Sequence, residues 1–244
     1  MARGILRMTS KVFSGVLPAL LATAVLMSAS AAQASTVLVT NEAAIVNDGL
    51  VNWGSLGPDG TITNPFTIPV PGVGGLQMTT SQLQNSFERR NQGNGWGGNF
   101  GEGERVLYSD GSNAPMTFEF TDGIAGFGAQ IQANWWGDFT AVISAYDASD
   151  VLLGTYSRLG VSTGNGDDSA IFIGILSSSA DIRKIVLSVP VATGDIQDFA
   201  LNSPSIQLAR SSTRGIANPE PASMILLGTG VAGLIARRLR RRSA

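Results

Sequence analysis

The chain has 244 residues, with 16 Lys and Arg, 18 Asp and Glu, no His, no Cys and a formal charge of −2. The lack of histidine excludes His-based triads and the usual zinc and copper sites, and the lack of cysteine excludes a disulfide framework. Charge is segregated: between Ser35 and Asn218 lie eight basic and seventeen acidic residues, a net −9, which excludes nucleic acid as the natural partner.

Arg3, Arg7 and Lys11 precede an apolar run from Val12 to Met27, and small residues follow down to Ala32-Gln33-Ala34. That order is the order of a secretory signal peptide over residues 1–34, with Ala32 and Ala34 forming the A-x-A site read by signal peptidase. The mature domain then spans 35–210, a length that suits one domain able to bury a core without disulfides.

From Thr36 onward, short apolar runs are cut by Gly, Pro, Asn and Asp every eight to twelve residues, which predicts an all-β fold. Expected strands are Thr36 to Thr40, Leu50 to Trp53, Gln77 to Thr80 and Arg105 to Tyr108. Asn64 to Gly75, with three prolines and three glycines, reads as loop. Met116, Phe118 and Phe120 alternate with polar residues, and so do Phe127, Ala129, Ile131 and Ala133, giving each strand one buried face. Thr140 to Tyr146 and Val151 to Tyr156 flank Asp147-Ala-Ser-Asp150, a hairpin signal. Ala170 to Leu176 is apolar on both faces and reads as a central strand. Ile182 to Val189 and Phe199 to Leu208 complete nine to eleven strands of a jelly-roll-like β-sandwich.

Three constellations carry the candidate chemistry. Asn91 to Glu104 packs six glycines around Trp96 and Phe100. Trp96 either stacks on a sugar face, with Asn94 or Asn99 bonding hydroxyls, or folds inward to plug the end of the sandwich. Trp135-Trp136 closes a strand, and because neighbouring strand residues face opposite ways, only one ring fits the core. The other is exposed for binding or lies under a loop. Asp167 and Asp168, joined by Asp138, Asp147 or Asp150, offer carboxylates to calcium, the one cofactor expected as an option. Glu88, Glu102 and Glu104 are the candidates for a glycosidase carboxylate pair, and the favoured expectation is no enzyme.

The last segment is the most specific. Pro219-Glu220-Pro221 is followed by an apolar run over 222–236, then Arg237, Arg238, Arg240, Arg241 and Arg242. Fifteen helical residues reach about 22 Å, short of a bilayer core unless the arginines snorkel. The arginines hold the C-terminus in the cytoplasm. This order resembles the PEP-CTERM sorting signal, here covering 219–244 behind a linker at 211–218. The resemblance implies processing by exosortase from an inner-membrane intermediate. Delivery would be to the envelope or extracellular matrix of a Gram-negative bacterium.

Gly126-Phe-Gly128, Ile143-Ser-Ala-Tyr-Asp147, Leu152-Leu-Gly154, Phe172-Ile-Gly174, Ile182-Arg-Lys-Ile185 and Phe199-Ala-Leu-Asn202 are similar to the sandwich domain of many PEP-CTERM proteins. Asp150 departs from a frequent Gly, and Asn202 from a usual Asp. The reading that results is a non-catalytic exported protein binding exopolysaccharide. A purely structural or adhesive role stands as the second expectation.

Overall fold

The computed structural model describes residues 35–209, which form two β-sheets packed face to face. In chain order the strands are β1 (Thr36–Val39), β2 (Gly49–Leu50), β3 (Gly60–Ile62), β4 (Phe66–Pro69), β5 (Gln77–Gln82), β6 (Phe87–Gln92), β7 (Gly95–Trp96) and β8 (Arg105–Tyr108). They continue with β9 (Met116–Ile124), β10 (Gly126–Ala133), β11 (Gly137–Tyr146), β12 (Leu152–Ser162), β13 (Ile171–Ser177), β14 (Ile182–Ala192), β15 (Phe199–Leu201) and β16 (Ser205–Gln207). The larger sheet runs β1-β13-β10-β15-β8-β6-β3, with β16, β2 and β7 attached beside that path. The smaller runs β12-β11-β14-β9-β5-β4. The fold is a β-sandwich, as the alternating pattern implied.

Alternation decides which side chains meet between the sheets. Phe118 and Phe120 of β9 reach across to Phe127 of β10, with ring centroids 5.3 and 6.2 Å apart. On β11, Phe139, Ala141, Ile143 and Ala145 point inward, while Leu107 and Leu201 do so on β8 and β15. Each such large side chain contributes roughly 1.5–3 kcal/mol on burial.

The larger sheet is unusual in being roofed on its outer face too. Val106 and Tyr108, flanking inward Leu107, join Trp96, Phe100, Ala170 and Ala200 in a second cluster under the glycine-rich loop. Phe172 of β13 packs outward with Val39 and Ile45 in a third. Gly128 makes this possible, since a Cβ there would sit 2.5 Å from the Phe172 ring and 2.6 Å from Ile45. That roof explains why β13 is apolar on both faces.

Several expected elements came out differently. Phe66–Pro69 is a strand rather than loop, because β4 is an edge strand and an edge tolerates proline. Trp53 opens a 3-10 turn (Trp53–Leu56) instead of ending a strand. The single strand expected over Phe199 to Leu208 is two, β15 and β16, end to end along β10 and broken at Asn202. Including the two-residue pieces there are sixteen strands among the described residues, against the nine to eleven expected. The proposed signal peptide (1–34), the linker (211–218), and the tail with its expected helix at 222–236 lie outside the described residues. Among the described residues no helix is long and apolar enough to cross a membrane.

Candidate functional site

The chain passes from β10 in one sheet to β11 in the other through Asn134-Trp135-Trp136, an arch over one end of the sandwich. Because the pair sits in this arch and not within a strand, neither ring enters the core. Trp135 is 52% and Trp136 64% exposed. Each ring is backed by a glycine: a Cβ on Gly194 would lie 3.3 Å from Trp135, and one on Gly164 3.0 Å from Trp136. Each indole is therefore seated close to backbone on one side while much of the ring stays wet. The two rings, Gly97 and Asn134 line a cleft of about 640 Å³.

Asn134 brings the cleft its polar group. Its Nδ2 donates to the Tyr108 hydroxyl and to Asp198 Oδ2, each at 3.0 Å, and Oδ1 is left as an acceptor. A carboxylate cannot donate, so this orientation of the amide is the one Asp198 requires. The Tyr108 hydroxyl in turn donates to Asp198 and accepts from Gly111 N–H. Burial first, then the Asp198 carboxylate, pushes the Tyr108 phenol well above its ordinary range, so it remains a fixed donor. Sequence reasoning passed over Asn134, although it stands next to the tryptophans.

Trp96 is not part of this surface. It is 5% exposed, with Tyr108 and Phe100 at centroid distances of 5.1 and 6.4 Å. It does plug, but on the outer face of the larger sheet rather than the end of the sandwich. Asn99 is buried as well: its Nδ2 bonds Thr163 Oγ1 and Ser169 Oγ at 2.7 Å each, and its Oδ1 accepts from Gln132 Nε2 and Thr163 N. Neither is available to a sugar. Asn94 is exposed, in the tight turn that pairs it with Asn91, and does not line the cleft.

The five aspartates do not converge. Asp138 and Asp147 mark opposite ends of β11, about 30 Å apart at the rise of a strand. Asp147 caps its own hairpin through Ser149 N and Val151 N, and Asp150 pairs with Lys184 Nζ at 2.5 Å. Asp167 accepts from Ser169, which holds its carboxyl below the usual range, and Asp168 accepts from Gln130 Nε2 at 2.9 Å. Among the described residues no three acidic side chains are gathered to hold a metal.

A second, polar groove of about 580 Å³ crosses the outer face of the larger sheet between its two roofed clusters. Glu42, Glu102, Glu104, Gln130, Asp168 and Asn202 line it. Asn202 fills the break between β15 and β16. Its Oδ1 accepts from Gln130 N, and its Nδ2 donates to Glu104 Oε1 (2.8 Å) and Gln130 Oε1 (2.9 Å). An aspartate there would keep the bond from Gln130 N on one oxygen but set the other against the Glu104 and Gln130 oxygens, which accounts for the departure to Asn. Burial raises the Glu104 carboxyl above its usual range, opposed by the bond from Asn202. Glu88 stands apart on β6, ion-paired with Arg90.

The order Pro-Glu-Pro, apolar run and arginines is matched by a family model described as the PEP-CTERM protein-sorting motif, over residues 219–242. The tail is a PEP-CTERM sorting motif. It implies an exported protein cleaved by exosortase. Gln207 pairs with Gly126, while Thr36 pairs with Ser177 at the same end, so both described termini leave the sandwich there. The Trp135–Trp136 arch is at the other end of β10, about 24 Å away.

No curated protein matches the chain by sequence. Among solved structures it is similar to CsCBM6-3 from Clostridium stercorarium in complex with cellobiose, at 15% identity and a TM-score of 0.31, covering 62% of this chain and 98% of that one. A DUF4465 family protein from Bacteroides caccae is similar at 12% identity and a TM-score of 0.36, covering 72% and 100%.

Proposed function

We propose that the sandwich is a non-catalytic module that binds polysaccharide through the Trp135–Trp136 cleft, carried by the sorting motif to the cell envelope or extracellular matrix. The observation that carries this reading is the pair of adjacent indoles, both more than half exposed and each backed by a glycine. Large exposed aromatic surface is unfavourable in water and marks interaction sites. Flat rings suit the C–H face of a pyranose, and rings already seated lose little freedom on binding. The cleft lies at the end of the sandwich opposite the one where the described chain stops.

A second reading, an adhesive protein without a discrete ligand, draws on Leu159, Val161 and Val191. These exposed residues cluster on the outer face of the smaller sheet, Leu159 and Val191 both opposite Thr140. Glycan binding separates the two. The exported protein is expected to be retarded in gels containing polysaccharide from its own host. Trp135→Ala with Trp136→Ala should abolish retardation and leave the fold intact. Retardation equal in wild type and variant would overturn the cleft as the site.

A further inference from the structure

The cleft has an electrostatic character that bears on which glycans it accepts. Its lining consists of two indoles, one glycine and one amide. Asn134 bonds Tyr108 and Asp198 through Nδ2, which leaves Oδ1 as its acceptor without a partner among the described residues. Asp198 is 2% exposed, and its Oδ1 has no hydrogen-bond partner among the described residues. A carboxylate is thus buried directly behind the polar wall. No cation offsets it at the surface of the cleft, since none of the six described Lys and Arg lines it. Their partners are other groups: Arg89 bonds Asp59, Arg90 bonds Glu88 and lies over the Tyr108 ring (4.9 Å to its centroid), Arg158 bonds the carbonyls of Thr40 and Phe172, Arg183 that of Phe120, and Lys184 bonds Asp150. Arg105 is by Gly54.

We infer, resting on the cleft as the glycan site, that it selects uncharged sugars and turns away uronates and other acidic glycans. A hydroxyl donates to Asn134 Oδ1 while the sugar's C–H face lies on indole. A carboxylate in the same place has no proton to donate, meets an acceptor with Asp198 behind it, and loses hydration without gaining a cation. The chain from Ser35 to Asn218, at net −9, adds long-range repulsion of the same sign.

The test is a calorimetric titration of the exported, processed protein. The probes are soluble neutral glucan, mannan and galactan oligosaccharides, each set against the same oligosaccharides oxidised at C6 to uronates. The expected result is binding of at least one neutral probe, with its oxidised counterpart weaker by about tenfold or more, one 1.4 kcal/mol step. Asn134→Ala should weaken the neutral probe by a similar factor, with binding measured well below a melting temperature that the lost bonds to Tyr108 and Asp198 will lower. Equal or tighter binding of an oxidised probe, lost in Trp135→Ala with Trp136→Ala, would overturn the selectivity and leave the site standing. Binding that survives the double tryptophan variant would overturn the site itself, and no binding of any probe would overturn both.

Discussion

Trp96 and the Trp135–Trp136 pair are alike on paper, aromatic residues beside glycines and asparagines, and opposite in the folded protein. Trp96 is held between Tyr108, Phe100 and Gln132 under its own loop, with Nε1 directed at Gln132 Oε1, 3.4 Å away. Trp135 and Trp136 have glycines behind them and water in front. The difference comes from what each glycine-rich segment has to cover. The loop at Asn91 to Glu104 lies over a sheet face that carries Val106, Tyr108 and Ala200, so its aromatics gain partners by folding down. The arch between β10 and β11 crosses the end of the sandwich, where the core is already filled. The two regions are joined at Gly97, which follows the buried ring and lines the cleft of the exposed ones. One tryptophan supports a wall; the other two form the surface that the wall borders.

If this contrast is right, changes on the roofed face cost stability and changes in the arch cost binding. The largest effect expected is Trp96→Ala, a loss of about 3–5 kcal/mol in a denaturant melt, as for aromatic truncations in cores. A variant as stable as wild type would break the contrast at once. Next is Asn202→Asp, which removes two donors and sets a carboxylate against Glu104. It should cost about 2–3 kcal/mol at neutral pH, within the range for unmet buried polar groups, and less in acid where the carboxyls take up protons.

The wild type itself should show a pH slope from Glu104. Its carboxyl is raised in the folded state, so the folded protein binds the proton more firmly than the unfolded chain. That contribution is present below the ordinary value of 4.5 and is lost as pH rises through the raised folded value. Melts of Glu104→Gln across pH 4 to 7 should therefore be flatter than those of wild type. The smallest change in stability is expected for Gly164→Ala, a few tenths of a kcal/mol as at most surface sites. Its new methyl would meet Trp136 at 3.0 Å and displace the ring, so glycan affinity should drop several-fold.

Much of the fold was legible because a strand with one wet face writes its period into the sequence. β9 and β11 carry that alternation and were found, and so was β10, whose polar Gln130 and Gln132 alternate in sequence although Gln132 is covered in the fold. β6 was missed because Arg89 takes the position two along from Phe87, on the same face, and is buried by pairing with Asp59. The split at Asn202 was hidden because its partners, Glu104 and Gln130, are 98 and 72 residues away. The site was half legible. Two adjacent tryptophans are visible to any reader, but the rule that one must face the core assumes a strand, and the chain there is an arch. Asn134 showed nothing in the sequence, since its role depends on Tyr108 and Asp198 arriving from two other segments.

The central claim is that two of the four tryptophans face solvent to hold a glycan while Trp53 and Trp96 are sealed in. Acrylamide quenching of tryptophan fluorescence, with and without a saturating neutral glycan, reads this directly. About half the emission should be quenchable in the free protein and protected when the glycan is bound, and Trp135→Phe with Trp136→Phe should remove the quenchable half. Quenching that is unchanged by the glycan, or that persists in the double variant, would contradict the account.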